Sequence, residues 1–406
     1  MTNSQDYKIV HKNNKCNNPA DKKEIEIKAF ERQAVDYCID GHQINGDYKD
    51  FKNFSYNQLR TLLSLEQIDE YPCYLMHYYG EYNFEDYLKA GSENFLELLD
   101  FLKKKKLYPP KIIEKTSDTS HCSACSSFSA STLEGHSIFG RNYDMTHKGA
   151  LLVYTNPPCA YASISMVDIN YLGYYGDILP STLWQKRHLL SAPYMPCDGM
   201  NECGVAISQL ELPQSTPTKF QGKVTLLINT AVRLVLDYAK NIDEAIKLLK
   251  EFNITFPEDP VRGPMYVHLL ISDTVGNSAI IEFLDGEMKI IRNNEPWQVV
   301  TNFIIYGYEP EKEVCGGGLD RYEIASEILR SKNGIVTLDE AMDILNRVKM
   351  PTFNGFVNNL NNGWHVSTTQ WSIVYDSENG ELNLVLNRKY GKVIKLNLLD
   401  KFFSKP

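Results

Sequence analysis

Hydrophobic and polar positions follow two different rhythms along this chain, and the change falls near residue 125. Before it, apolar residues recur at helical spacing. Residues 23–39 (KEIEIKAFERQAVDYCI) predict one helix, and Asn94 to Lys104 predict another, with Leu96, Leu98, Leu99 and Leu102 on its apolar face. Between them runs an aromatic tract from Tyr71 to Phe84 (YPCYLMHYYGEYNF). We expect it to pack against helices in the core, with a cover over the apolar floor of a site as the sharper alternative. Pro109-Pro110 and the polar stretch EKTSDTSHCSA, ending at Ala124, then mark an exposed linker of the kind where chains are cut.

From Cys125 onward, short strand-like runs dominate. They fall at Cys125–Ser131, Ser137–Asn142, Leu151–Thr155, Ala160–Ile169 and Gly204–Leu210. Helical patterns follow at Val224–Ala239 and Asp243–Phe252, the second with Asn241 as a candidate N-cap. Strands resume at Met265–Ser272, Ser278–Leu284, Met288–Arg292 and Gln298–Thr301. Asp320-x-x-Glu323 and Thr337-x-x-Glu340 read as capping boxes opening two further helices. Strands at Trp371–Tyr375, Leu382–Leu386 and Val393–Leu398 close the chain. Alternating blocks of strands and helices predict an α+β protein with two stacked sheets covered by helices.

Composition sharpens this picture only in places. The 406 residues allow one large domain or two ordinary ones, and 43% hydrophobic with 23% charged residues is an ordinary globular mixture. A formal net charge of -9 argues against nucleic acid as a partner. The basic run Lys103 to Lys106 suits the solvated C-terminal end of a helix. Residues 1–22 are polar and lack the apolar segment of a secretory signal, and no run reaches the roughly 20 apolar residues of a membrane span. The expectation is a soluble, cytoplasmic protein without stable membrane insertion. Nine scattered cysteines do not form a disulfide framework.

The candidate chemistry lies in CSSFSASTLEGHSIFGRNYD. Thr132-Leu133-Glu134-Gly135 signals a turn. If Thr132 and Gly135 flank it, Cys125 stands opposite Asn142, beside Arg141, with Asp144 near the strand start. The guanidinium would favour the thiolate and hold negative charge. An N-terminal Cys125 would carry its own base, since an α-amine titrates near pH ~7.7–8.0. Two other readings stay open on the residues alone. One is a buried core cysteine beside a local ion pair. The other uses Cys122-Ser-Ala-Cys125 with His121 as a redox pair or half a zinc site, although no second C-x-x-C exists.

Cys125-x15-Arg141-Asn142-x-Asp144 resembles the start of choloylglycine-hydrolase-type N-terminal-nucleophile (Ntn) enzymes. These include bile salt hydrolases, penicillin V acylases, acid ceramidase and the acid amidase of N-acylethanolamines. The likeness continues in order through DGMNECGVAISQLELP (Asp198–Pro213), HLLISDTVGNSAIIEF (His268–Phe283), VVTN ending at Asn302, and Leu319-Asp320-Arg321-Tyr322. The resemblance implies an αββα four-layer sandwich over 125–406. It also implies a mainly helical pro-segment over 1–124, cut off at Ala124–Cys125 and able to remain as a small subunit. By resemblance, Cys125 is nucleophile and, through its amine, base; Arg141 and Asp144 orient it. Asn302 donates to the oxyanion and Arg321 adds positive charge near the thiolate. On the residues alone, Asn302 also suits a strand-end turn and Arg321 a solvated first turn of a helix.

Two features depart from bile salt hydrolases. A segment of 124 residues precedes the cysteine, and Glu211 stands where those enzymes carry Asn. Both resemble the ceramidase and acylethanolamine-amidase branch. Glu211 would contact the Cys125 amine or the leaving amine, or be a surface residue before Pro213. The implied activity is hydrolysis of a linear N-acyl amide, with no metal and no cofactor. Acyl transfer to an amine and an uncleaved binding protein are the alternatives. Expected partners are the small-molecule amide and the chain's own cleaved fragment; oligomeric state, a homo-oligomer included, is left open. Cys315-Gly316-Gly317-Gly318 lacks the Lys-Ser/Thr of a phosphate loop and suggests a mobile loop near the site. Asp198-Gly199 suggests a hairpin turn.

Overall fold

The computed structural model describes residues 53–109, 125–146, 148–174, 179–180, 182–259, 263–350 and 367–403, with a hairpin at 37–39 and 42–44. Strands β1 (Tyr37–Ile39) and β2 (His42–Ile44) form that hairpin. Helix α1 (Tyr56–Leu63), strands β3 (Glu66–Asp69) and β4 (Cys73–Tyr78), and helices α2 (Phe84–Ala90) and α3 (Phe95–Lys104) follow. After Cys125 come β5 (Ser126–Ser131), β6 (Ser137–Met145), β7 (Ala150–Thr155) and β8 (Ser163–Asp168). Then run α4 (Leu183–Lys186), β9 (Asp198–Asn201), β10 (Ala206–Glu211), β11 (Thr225–Leu227), α5 (Ile228–Tyr238) and α6 (Ile242–Lys250). Short strands β12 (Asn253–Thr255), β13 (Glu258–Asp259) and β14 (Gly263–Pro264) precede β15 (Val267–Ser272), β16 (Ser278–Leu284) and β17 (Glu287–Arg292). The chain continues through β18 (Gln298–Val300), β19 (Asn302–Phe303), β20 (Gly316–Gly317), α7 (Leu319–Ser331) and α8 (Leu338–Arg347). It closes with β21 (Thr368–Asp376), β22 (Glu381–Leu386), β23 (Ile394–Asn397) and α9 (Leu398–Phe403).

These elements build the four layers that the resemblance implied. A nine-stranded sheet runs β17-β16-β15-β10-β9-β8-β7-β4-β3, and a six-stranded sheet runs β18-β5-β6-β21-β22-β23. Their facing sides share one core, in which Leu152, Ile164 and Leu270 meet Phe139, Ile373 and Leu384. The outer face of the large sheet packs Met76, Val153 and Ile207 against Leu98, Val232 and Leu249 of the helices. The outer face of the small sheet packs Phe128, Ile138 and Val374 against Leu329, Ile344 and Leu345. Strands covered on both faces need apolar residues at nearly every position. Accordingly β7 (ALLVYT) and β15 (VHLLIS) are buried throughout.

The capping signals held with one exception. The side chains of Asn94 and Asn241 cap α3 and α6, and Thr337 with Glu340 closes a capping box on α8. Lys103 and Lys104 do occupy the last turn of α3. The Asp320–Glu323 box does not form: α7 starts after Gly318, whose left-handed φ of 85° turns the chain, and Asp320 already lies in the first turn. Residues 1–22, the linker from Pro110 to Ala124, and the predicted helix over 23–39 lie outside the described residues, except that 37–39 form β1 rather than helix.

The aromatic tract packs against the helices of the core as expected, but it does so as a strand. Residues 73–78 are a strand, β4, running parallel to β7 with Tyr74 opposite Leu151 and Tyr78 opposite Thr155. Tyr74, Met76 and Tyr78 face the helical layer, while Cys73 and Leu75 face the second sheet. The segment ahead of Cys125 is thus built into the large sheet.

It is also held by a buried charge network. Tyr82 donates its hydroxyl to both oxygens of Asp237 at 2.7 Å, and Arg233 donates to Asp237 at 3.1 Å. Arg233 further donates to the hydroxyls of Thr155, Ser163 and Ser165 and to the Pro193 carbonyl. Burial pushes the Asp237 carboxyl up to about 6, and Arg233 and Tyr82 oppose that rise. We expect Tyr82→Phe to cost about 1.5–3 kcal/mol, the range for a hydrogen bond to a charged group. A lower urea midpoint at unchanged slope is the measurement; an unmoved midpoint would show that Tyr82 adds nothing to the anchoring.

Candidate active site

The site begins with the turn that joins β5 to β6. Thr132 N–H donates to the His136 carbonyl at 2.8 Å, so three residues, 133–135, make the loop. Gly135 takes φ 88°, which a three-residue hairpin loop needs at its last position. The expected two-residue turn would have paired Thr132 with Gly135. The extra residue moves the register by one: Ser126 stands opposite Asn142 and Ser127 opposite Arg141, which sets Cys125 opposite Tyr143. A one-residue shift exchanges the faces of a strand. Arg141 therefore shares the inter-sheet face with Cys125, whereas Asn142 and Asp144 turn toward the helical layer.

On that inner face, Arg141 Nη2 lies 3.8 Å from Cys125 Sγ. Arg141 Nη1 donates to the Gln209 carbonyl at 2.6 Å, and Nε sits 3.1 Å from Asp198 Oδ2. Asp198 also accepts from Tyr375 Oη at 2.6 Å and Trp371 Nε1 at 3.3 Å. Trp371 stacks on Tyr143 at 3.8 Å between ring centroids. Cys125, Arg141 and Asp198 are all essentially buried. Burial pushes the Asp198 carboxyl up, and Arg141, Tyr375 and Trp371 pull it back. Asp198 lies in strand β9 rather than in the expected hairpin turn. Its segment carried a family motif, yet an Asp-Gly pair is an ordinary turn signal, so its role as the counter-ion of Arg141 was missed.

The second arginine approaches from α7. Arg321 Nη1 donates to the Cys125 carbonyl and, at 2.9 Å, to Ser126 Oγ; Nη2 donates to Asn302 Oδ1 at 3.0 Å. Asn302 Nδ2 in turn donates to the main-chain carbonyl of Glu211 at 2.8 Å. Asn302 and Arg321 are therefore buried parts of one network, neither a plain turn residue nor a solvated helix start. Glu211 joins through its backbone, and its side chain is half-buried. Gly316 and Gly317 form strand β20, with Gly317 opposite Asn302, where a loop near the site was expected. A Cβ on Gly318 would collide with the Arg321 guanidinium, so the glycine leaves room for the arginine to reach Cys125.

Asp144 is fully buried, and neither of its oxygens accepts a well-formed hydrogen bond among the described residues. Burial pushes its carboxyl up to about 7, against the pull of Arg321, Thr369, Arg141 and Arg388. The linkage has a definite sign. An unfolded Asp titrates near pH ~3.9. Between that value and about 7, the folded chain holds a proton that the unfolded chain lacks. This contribution to stability is complete below the unfolded pKa and is lost as pH rises through about 7. In uncut Cys125→Ala protein, Asp144→Asn should flatten the fall in melting temperature between pH 5 and pH 8. Parallel curves for the two proteins would remove Asp144 as the cause. Ala124, His121 and Cys122 lie outside the described residues.

Comparison with known proteins agrees with this fold. Residues 125–310 match the family described as linear amide C–N hydrolases, choloylglycine hydrolase family. A stretch of 136 residues is 32% identical to penicillin V acylase of Pectobacterium atrosepticum, covering 32% of this chain and 34% of that enzyme. The aligned stretch thus spans about a third of its length. In fold, the chain is similar to a mutant conjugated bile acid hydrolase from Clostridium perfringens, with a TM-score of 0.51 and 17% identity over 68% of this chain and 93% of the other. The fold is the α+β sandwich of the Ntn hydrolases.

Proposed function

We propose that this protein is an amide hydrolase that creates its own active site by breaking the Ala124–Cys125 bond. The observation that carries the reading is the Cys125 thiol 3.8 Å from Arg141, with Arg321 on the carbonyl of the same residue. The family match also begins at Cys125 itself. In processing, the Cys125 thiol adds to the Ala124 carbonyl carbon and the C–N bond breaks. The nitrogen keeps its hydrogen and gains the thiol proton, and water then hydrolyses the thioester.

Turnover reuses these groups. The freed α-amine takes the thiol proton, and the thiolate attacks the acyl carbon of a linear N-acyl amide. Asn302 Nδ2 carries two hydrogens, and Glu211 takes one of them. The other faces the developing oxyanion, a contact of about 2.7–4 kcal/mol in comparable sites. The ammonium returns its proton to the leaving amine, and water releases the acid from acyl-Cys125.

We assign the substrate to the acylethanolamine and ceramide side of the family, on the strength of the long leading segment and Glu211. After cleavage, residues 1–124 stay as a small subunit, a reading supported by β4 within the large sheet and by Tyr82 on Asp237. The full burial of Cys125 in the uncut chain favours a second reading, an uncleaved binding protein.

Intact-mass analysis and N-terminal sequencing of the purified protein, followed by assays on an N-acylethanolamine, penicillin V and a glycine-conjugated bile acid, decide between them. Two co-eluting fragments, the larger starting at Cys125, support the hydrolase. A single 46.4-kDa chain that hydrolyses none of the three amides sinks it.

A further inference from the structure

Outside the cluster around Cys125, the described core holds a hydrogen-bonded polar pair with no part in the chemistry above. His268 on β15 stands opposite Glu282 on β16, and both side chains are fully buried. His268 Nδ1 lies 3.0 Å from Glu282 Oε1, and its Nε2 lies 2.7 Å from the Thr301 carbonyl. Glu282 accepts two more hydrogen bonds, from the backbone N–H groups of Ile305 at 2.8 Å and Tyr306 at 2.9 Å. Every one of these backbone groups flanks Asn302. Thr301 Oγ1 adds a bond to the Gly318 carbonyl at 3.0 Å, beside Arg321.

We propose that His268 and Glu282 are positioning residues that fix Asn302 for catalysis. The pair grips the chain immediately before Asn302 through the Thr301 carbonyl and just after it through the amides of Ile305 and Tyr306. Asn302 bridges the large sheet, through the Glu211 carbonyl, and Arg321 of the other layer. Its amide must hold its aim while the substrate carbonyl changes geometry, and a donor displaced by a fraction of an ångström forfeits much of its value. A buried polar pair is a poor way to gain stability alone, because apolar side chains of similar volume fill such a space at no desolvation cost. Here the polar pair meets three backbone groups that apolar residues would strand.

The inference rests on the proposed hydrolase reading, and the test separates the two. In uncut Cys125→Ala protein, Glu282→Ala should raise hydrogen exchange at the Ile305 and Tyr306 amides by at least tenfold, while Leu270 and Ile271 stay protected. Unchanged exchange overturns the clamp whether or not the protein is an enzyme. In protein with Cys125 intact, His268→Gln and Glu282→Gln should slow self-cleavage. On whichever of the three amides the wild type hydrolyses, they should lower kcat on the order of 10–100-fold with KM within about twofold. In an Asn302→Ala background, the same substitutions should cause no further loss, because their effect passes through Asn302. Full additivity, or wild-type kcat in both variants, overturns the proposal. Absence of cleavage and turnover in the wild type defeats the hydrolase reading and leaves the exchange experiment to judge the clamp.

Discussion

Cys125→Ala should leave one chain of 46.4 kDa, while the wild type separates into fragments of about 14 and about 32 kDa, in proportion to their lengths. The substitution removes a buried thiol of small volume, and the rest of the network remains: Arg321 still meets the residue-125 carbonyl, and Arg141 keeps Gln209 and Asp198. Folding should therefore survive. Processing should not, because no other described thiol lies where Cys125 does. Cys73 on β4 and Cys197 just before β9 are buried, and burial pushes both thiols well up, which keeps them protonated and inert. Turnover should fall on the order of 10⁶-fold, the scale seen when a covalent nucleophile is removed. Denaturing mass spectrometry reads the first outcome and a coupled amide assay the second. Cleavage of the alanine variant at Ala124 would point to an external protease and end the self-processing account.

The next largest effect is expected at Arg141. Its guanidinium faces the thiol, a main-chain carbonyl and the Asp198 carboxylate, all out of contact with water. Arg141→Met keeps much of the volume but strands Asp198 without its counter-ion. Removing one partner of a buried pair costs about 3–5 kcal/mol. Burial already pushes Asp198 up, so without Arg141 the carboxyl should take up a proton more readily still. Adding Asp198→Asn should return most of the lost stability, since the amide oxygen can accept from Trp371 Nε1 while its NH2 donates to the Tyr375 hydroxyl. It should not return function, because nothing then holds the negative charge of the thiolate. Urea midpoints of the wild type, the single variant and the double variant measure the first claim. The alkylation rate of Cys125 by iodoacetamide in cleaved protein measures the second. A double variant that cleaves and alkylates at the wild-type rate would relegate Arg141 to a structural ion pair.

The ordered motifs were legible because each is a local statement. Cys125, Arg141, Asn302 and Arg321 stand on segments with clear strand or helix signals, and the structure brings all four into one network. Asp144 lies on the helical side of β6, where Arg321, the arginine that meets the Cys125 carbonyl, is the first charge to pull on its carboxyl. Asp198 was overlooked because its neighbour Gly199 suggested a turn, although β9 is buried between β8 and β10. His268 and Glu282 were visible only as members of a hydrophobic hairpin, since their partners, Thr301, Ile305 and Tyr306, come from a later stretch of chain.

What the amino-acid order determined unaided was the set of local choices: where strands and helices form, which Asn and Thr residues cap, and which chemistry clusters near Cys125. Those choices depend on side-chain periodicity and on contacts a few residues apart. Only the tertiary structure decided which groups meet. One extra residue in the loop before His136 set Cys125 opposite Tyr143 instead of Asn142, with Arg141 on the same face as the thiol. A parallel pairing across more than 70 positions of sequence made β4 part of the large sheet. Such outcomes rest on loop geometry and on how two sheets share one core, and no short window of sequence contains either.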